Sequence, residues 1–578
     1  MQLIRRLRIP ALFCALCVLV CELIAHPYTT MGICDDGPYI LMAHTLATTG
    51  HIVYNGWSAP MLTWQLYLGA AFIKLFGFSF TTVRMSTIFI AMLMAFLLQR
   101  ILVAANISER NATLGTLAFV LSPLYLLLSA TFMTDIYGLF ALVICLYGCL
   151  RALNSTPDRN PDRTTLAWLC FAILSNALGG TSRQIAWLGI LVMVPSTLWL
   201  LRSRRRVLLA GAALNLAGIL FIFACMHWLK LQPYSIPEQL LPPAFPIVHT
   251  LLGVFNNFLD IPFLLLPLML LFIPEVRKST PRIVGILFLL FLLVLVHPRH
   301  PHIFVLEPTV GDWVGIHGIY EVISLQGVAP TFLTPTMQAL LTIASFGSLL
   351  CLIASFLHTL SLRTPSKPEP ILSTAHLSWK QLAVLLGPFT LAYIVLLFPR
   401  AATTYIFDRY LLVLLVITLL CLTRYYQERV QPNFPLVSVP LIVLVAIYGI
   451  STTHNLFSLY RARVALAAEL AANGVPPTSV DNGWEYNLVV ELQHATHINF
   501  PTITIPPHAY TPTPPLPPSP CKVLWYDYTP HIRPLYTISF DPGTCGGPTS
   551  FAPVHYSRWL AASPGTLYAV HFAQLPTH

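Results

Sequence analysis

Cys34-Asp35-Asp36-Gly37-Pro38-Tyr39 stands just past an apolar stretch of membrane-crossing length, and its reading decides what kind of protein this is. Only 9% of the chain is charged, and carboxylates at the edge of hydrocarbon are expensive, so each one needs a reason. The two acids could simply solvate a loop. Gly37-Pro38-Tyr39, however, leads into a further apolar run, Ile40 to Thr48, that should lie against the membrane. One hundred residues later Asp135 stands alone between two more apolar segments. If Asp35 and Asp135 emerge on one face, they can converge on a single water-facing site.

Composition sets the class around this motif. A chain of 578 residues, 56% of them hydrophobic, with mean hydropathy +0.71, reads as a polytopic membrane protein whose partners include membrane lipids. The excess of 32 basic over 22 acidic residues would point to nucleic acid in a soluble protein. Here it falls mostly in short loops, the pattern that orients membrane helices, and nucleic-acid binding is not expected.

Thirteen apolar segments are long enough to be read as spans, at 9–26, 80–100, 112–130, 135–151, 164–180, 184–201, 207–229, 250–273, 283–297, 337–361, 380–398, 409–424 and 434–452. Arg5, Arg6 and Arg8 precede the first, which reads as a retained helix with its amino terminus inside. The clusters Arg151/Arg159/Arg163 and Arg202/Arg204/Arg205/Arg206 then share the cytoplasmic face. Counting Met61–Gly77 as a span would move both clusters outside, so this segment, with Gln65 and Lys74, is expected to lie at the outer surface as an amphipathic helix. Asp35 and Asp135 then share the outer face.

After about residue 452 the chain changes character. Residues 1–455 read as the membrane domain, with a first outer loop at 27–79, and 456–578 as an outer module. Within the module, Leu456–Ala472 is expected as an amphipathic helix, Val523–Tyr526 and Leu535–Ile538 as strands, and the proline run 506–520 as an extended loop. The expected fold is an all-α polytopic bundle carrying a small α/β cap. Cys521 and Cys545 could pair in an oxidising compartment.

Other charged groups have two readings each. Asp135, after Met133-Thr134, could cap a helix, serve as a ligand, or do both. Arg183, Arg400 and Arg409 could snorkel to lipid headgroups, or their guanidinium forks could hold a phosphate. Asp408 beside Arg409 could orient it. The cluster His297, Arg299, His300 and His302 is separated by prolines and reads as a solvated loop. Asn256, Asn257 and Asp260 read as intramembrane polar groups facing the bundle interior.

These residues support a comparison. Asp35-Asp36-Gly37-Pro38-Tyr39, then Ala43 to Gly50, then Pro60, resembles the first outer loop of GT-C superfamily glycosyltransferases. The nearest look is to the bacterial protein-mannosyltransferase-like and lipid A aminoarabinose transferase branch. Met133-Thr134-Asp135 matches that branch's second acid. The resemblance is detailed over about residues 30–190 and architectural beyond. It implies a bacterial inner-membrane enzyme that transfers a sugar from a polyprenyl-phosphate carrier to a lipid, glycan or protein acceptor on the extracytoplasmic side. Asp35 would correspond to the first acid, with Asp36 beside it, Asp135 to the second, and Tyr39 to the motif tyrosine that positions loop or acceptor. The sequence departs at Ala59, where the aminoarabinose transferases carry Lys before the Pro, so another cation must serve the donor phosphate. Arg409 is the first candidate, with Arg400 and Arg183 in reserve.

The chemistry asks for the same parts. An acceptor hydroxyl needs a carboxylate to take its proton. A departing lipid phosphate needs cationic side chains or a divalent metal ion, Mg or Mn, which Asp35 and Asp135 could hold. A transporter or lipid-linked-sugar flippase is the alternative. It should carry internal repeats and acids at mid-bilayer, and no repeat is evident.

Overall fold

The computed structural model describes residues 8–154, 161–237, 244–278, 281–295, 306–309, 313–319, 324–361, 377–403, 406–516 and 518–573. The histidine cluster at 297–302 and the basic residue Arg159 lie outside these.

Helices form over every one of the thirteen apolar segments. In chain order they are α1 Ile9–Ala25, α2 Asp36–Thr49, α3 Thr63–Phe76, α4 Phe80–Ala104, α5 Glu109–Val120, α6 Pro123–Ser129, α7 Thr134–Leu153, α8 Pro161–Gly180 and α9 Gln184–Leu200. Then come α10 Arg205–Lys230, α11 Ile247–Leu264, α12 Leu266–Met269, α13 Pro281–Leu295, α14 Pro335–Ser361, α15 Trp379–Thr403, α16 Leu412–Tyr425, α17 Ser438–Ala472 and α18 Trp484–His494. Among the described residues eight are long and apolar enough to cross a membrane, or nine if the bent pair α5–α6 is one span. The helices α1, α8, α9 and α13 fill the other four expected segments. Of these, α1 (17 residues), α9 (Gln184–Leu200, in the same 10–17 range) and α13 (15 residues) are shorter than the roughly 20 residues a bilayer asks for. The 69° bend between α5 and α6 has a local cause. Pro123 starts α6, and the Ser122 hydroxyl caps it by accepting from the Tyr125 amide.

The helix α3 is too short to span, as expected of a surface helix. Its Gln65 is nevertheless buried and donates 2.8 Å to the Phe132 carbonyl, tying α3 to the turn before α7.

The carboxyl-terminal part departs from expectation in two places. The last apolar segment and the helix expected at 456–472 are one continuous helix, α17, of 35 residues. No glycine or proline between Ile450 and Arg461 interrupts it. It therefore runs straight through position 455 and ties bundle and cap together. Four strands form the cap's sheet: β3 Val480–Asp481, β4 Tyr536–Ser539, β5 Val554–Tyr556 and β6 Gly565–His571, in the order β3-β4-β6-β5. They follow the short hairpin β1 Val314–Gly315 and β2 Gly318–Ile319. The strand expected at Leu535–Ile538 is present as β4. The one expected at Val523–Tyr526 is not, because Trp525 adopts a left-handed backbone (φ 56°) that no strand holds and starts a single turn at Tyr526–Tyr528. Cys521 and Cys545 form a disulfide, their Cα atoms 5.1 Å apart.

Buried polar contacts lock the cap onto α17. Arg463 bridges Asn482 and Glu485, and Tyr460 donates 2.5 Å to the same Glu485. All four are buried. The next helix, α18, lies over the loop bearing Asp35.

Candidate active site

Two adjacent acids end in opposite surroundings. Asp36 is sealed, with no exposure. Arg84 of α4 grips both its oxygens (2.8 and 3.0 Å), and the amides of Ile33 (2.7 Å) and Phe132 (3.1 Å) complete the shell. Arg84 also donates to the Thr29 and Met31 carbonyls. Asp36 is therefore an anchor and not a reacting group, which corrects its placement among the catalytic candidates. Every acceptor position it has is spent on holding the 27–36 loop to α4 and to the turn before Asp135. Arg84 was missed in the sequence. A lone arginine inside the apolar segment 80–100 was the signal available.

Close backbone packing seats this loop. A methyl group on Gly32 would come within 3.0 Å of the Gly37 Cα, and one on Gly37 within 3.0 Å of Val489 in α18. Between the glycines Cys34 has a left-handed backbone, φ 53°, a cost borne by packing immediately before Asp35.

Asp35 faces the other way, with its side chain 24% exposed. One oxygen accepts from the Trp57 indole at 3.0 Å, and the other lies 3.9 Å from Arg409. Burial pushes its carboxyl above the ordinary carboxylate range. Arg409 and the Trp57 hydrogen bond oppose that, and Asp135 adds to it.

Asp135 sits in the first turn of α7, whose N-cap is Met133, so it is not the N-cap residue. It is ion-paired with Arg183, and its other oxygen lies 3.9 Å from Arg409. Gly138, one turn on, makes room for Arg183, whose methylenes lie 3.2–3.3 Å from where a Cβ would stand. The Arg183 loop is zipped to the Pro60 region. Gln184 donates to the Ala59 carbonyl, and the Leu62 and Thr63 amides donate to Ser182 and Thr181. The chain around residue 183 is thus packed against Ala59, while the Arg183 guanidinium itself lies on Asp135 and over the Tyr410 ring.

Arg409 joins the two acids. Its two terminal nitrogens reach one acid each, and its guanidinium lies over the rings of Trp313, Phe407 and Tyr410. Its Nε is buried and, among the described residues, has no hydrogen-bond partner. Asp408 does not orient it as expected. Asp408 instead accepts from the Trp313 and Val314 amides and holds the β1 turn. Arg400 lies on the Phe407 ring (5.4 Å), whose ring also contacts Arg409, and so stands at the edge of the site. Tyr39 is buried beside Asp35, and burial followed by the Asp35 charge pushes its hydroxyl well up. Asn257 and Asp260 do face the interior, where they bind the Ile406 carbonyl and Thr309.

The cap supplies a part the sequence reading did not foresee. Around Trp57 stand Trp484 (5.7 Å), Trp525 (5.7 Å), Phe500 (6.0 Å) and Tyr528 (6.0 Å), so a ring of aromatics roofs the hydrogen bond to Asp35. Trp525 is 38% exposed.

Among the described residues no three His, Cys, Asp or Glu side chains gather as a metal group. The two acids that could hold Mg or Mn instead flank the Arg409 guanidinium. Mg is commonly held by one or two carboxylates, with water and substrate phosphate oxygens completing its shell, so Asp35 and Asp135 are the residues that would hold such an ion.

No protein-family profile matches this sequence, and no curated protein matches it. Among solved structures the chain is similar to ArnT from Cupriavidus metallidurans bound to undecaprenyl phosphate, at 14% identity and TM-score 0.36, with 80% of each chain covered. It is also similar to the archaeal oligosaccharyltransferase AglB from Archaeoglobus fulgidus, in complex with an inhibitory peptide and a dolichol-phosphate. There the identity is 15% and the TM-score 0.42, covering 89% of this chain and 63% of that one.

Proposed function

We propose that this chain is a membrane glycosyltransferase that moves a sugar from a polyprenyl-phosphate carrier to an acceptor at the face bearing Asp35 and Asp135, the extracytoplasmic side. One observation carries the reading. Two acids one hundred residues apart in sequence meet across a single guanidinium, 3.9 Å from each. The Nε of that guanidinium is buried and, among the described residues, has no hydrogen-bond partner.

Each residue has a role. Asp35 is the partly exposed acid with a raised carboxyl, and it takes the acceptor hydroxyl's proton as the oxygen attacks the anomeric carbon. The Trp57 indole fixes one of its oxygens, which leaves the other for the acceptor. The bond from the anomeric carbon to the carrier phosphate breaks as the new bond forms, and charge grows on the phosphate. Arg409 is placed to receive that charge, with Arg183 in support and Arg400 at the rim. Asp135 holds Arg183 in place. An apolar groove between helices would take the carrier's tail.

Labelled polyprenyl-phosphate sugars incubated with the purified protein and candidate lipid, glycan or peptide acceptors test this directly. Transfer with release of polyprenyl phosphate, lost in Asp35→Asn, is the expected result. Movement of intact donor across vesicles without release of the carrier would assign a flippase instead.

A further inference from the structure

A second cationic cavity lies at the opposite end of the bundle, and nothing in the proposed reaction uses it. It is open, about 420 Å³, and lined by Arg8, Tyr147, Arg151, Ala167, Trp168 and Phe171. Arg8 precedes α1, Arg151 is in the last turn of α7, and the aromatics come from α7 and α8. From Asp135 to Arg151 the helix α7 rises roughly 24 Å at 1.5 Å per residue, so this cavity and the candidate active site lie near opposite membrane boundaries.

The lining joins two chemistries. Arg151 lies over the Trp168 ring at 4.9 Å, and Trp168 in turn meets Tyr147 and Phe171 edge-on, at 5.8 and 5.7 Å. The nearby acid Asp162 is already engaged by Arg204. Among the described residues neither Arg8 nor Arg151 has a carboxylate partner. Exposed apolar lanes lead away from the cavity along both flanking helices. On α8 they are Phe171, Leu174 and Leu178, spaced for one helix face, and on α1 Leu12, Phe13 and Leu16. Two guanidiniums at a membrane boundary, an aromatic floor and two hydrocarbon tracks match one ligand class. Basic pockets between helices take anionic lipid headgroups.

We propose that this cavity holds the phosphate of an anionic phospholipid between Arg8 and Arg151, with its acyl chains along α1 and α8. The hydrocarbon tracks favour a lipid over free phosphate.

Native mass spectrometry of the full chain, released from vesicles of equal phosphatidylglycerol and phosphatidylcholine, tests it. The wild type should retain one phosphatidylglycerol in clear preference. The double variant Arg8→Ala/Arg151→Ala should lose that retention about tenfold or more, the scale of a charge-assisted hydrogen bond. Arg151→Lys keeps the charge without the fork and should fall between. Equal retention of the two lipids by the wild type, or unchanged retention by the folded double variant, overturns the proposal. So does displacement of the bound lipid by millimolar inorganic phosphate, which would make this a free-phosphate site. Should the double variant not fold, the wild-type lipid ratio and the single variant Arg151→Gln decide by the same criteria.

Discussion

Asp35 and Asp36 are neighbours in sequence, yet they occupy different physical worlds. Asp36 is fully buried and its oxygens are filled by one arginine and two backbone amides. Asp35 is partly exposed, accepts from the Trp57 indole, and shares a distant guanidinium with an acid from another helix. A carboxylate with every acceptor position satisfied holds structure in place. One left with an open oxygen, raised by burial, is free to accept a proton. The pair teaches that the two tasks are told apart by saturation rather than by residue type.

The largest effect should come from separating them by mutation. Asp35→Asn keeps shape and removes the base, so turnover should fall by about 10²–10⁴, the usual worth of a positioned base. Its thermal unfolding should match the wild type. Asp36→Asn should do the reverse. It leaves the buried Arg84 charge uncompensated and should destabilise by about 3–5 kcal/mol, seen as poor recovery and an early melting transition. If Asp36→Asn were stable and inactive while Asp35→Asn stayed active, the comparison would be inverted.

Arg409 comes next. Arg409→Ala should weaken turnover more than Arg409→Lys, because lysine restores the charge but not the fork. An arginine that merely snorkels to lipid would leave rate and donor affinity unchanged in both variants, and steady-state kinetics separates the cases.

A smaller effect concerns pH. With Asp35 acting as an unprotonated base, kcat/KM should fall as pH drops through its raised folded-state value, above the ordinary carboxylate range. Trp57→Phe removes a donor that favours the charged form, so that acid limb should move to higher pH. An acid limb that does not move would detach Trp57, and the roof around it, from the proton transfer.

The smallest expected change is with chelation. If Arg409 is the bridging cation, thorough treatment with EDTA should leave turnover within about twofold, well under the several kcal/mol a catalytic metal supplies. A large loss restored by Mn or Mg would hand Asp35 and Asp135 to a metal ion.

The helical bundle was legible in the sequence, because hydrocarbon leaves a long apolar run only one way to satisfy its backbone, and so was the presence of a small cap, though not the continuous helix that joins the two. That Asp35 and Asp135 could share one face was legible too, since scarce charge beside apolar helices must be accounted for one residue at a time, but the Arg183–Asp135 pair and the place of Arg409 between the acids were not. Other features depended on which atoms come within 3 Å of each other, and no local pattern encodes that. Arg84 chooses Asp36 rather than Asp35, Asp408 turns to the Trp313 loop rather than to Arg409, and four aromatic rings from distant stretches close over Trp57. The sequence determined that these polar groups must find partners. Only the packed tertiary structure decided which ones, because partner choice is settled by long-range geometry while the need for a partner is settled by burial alone.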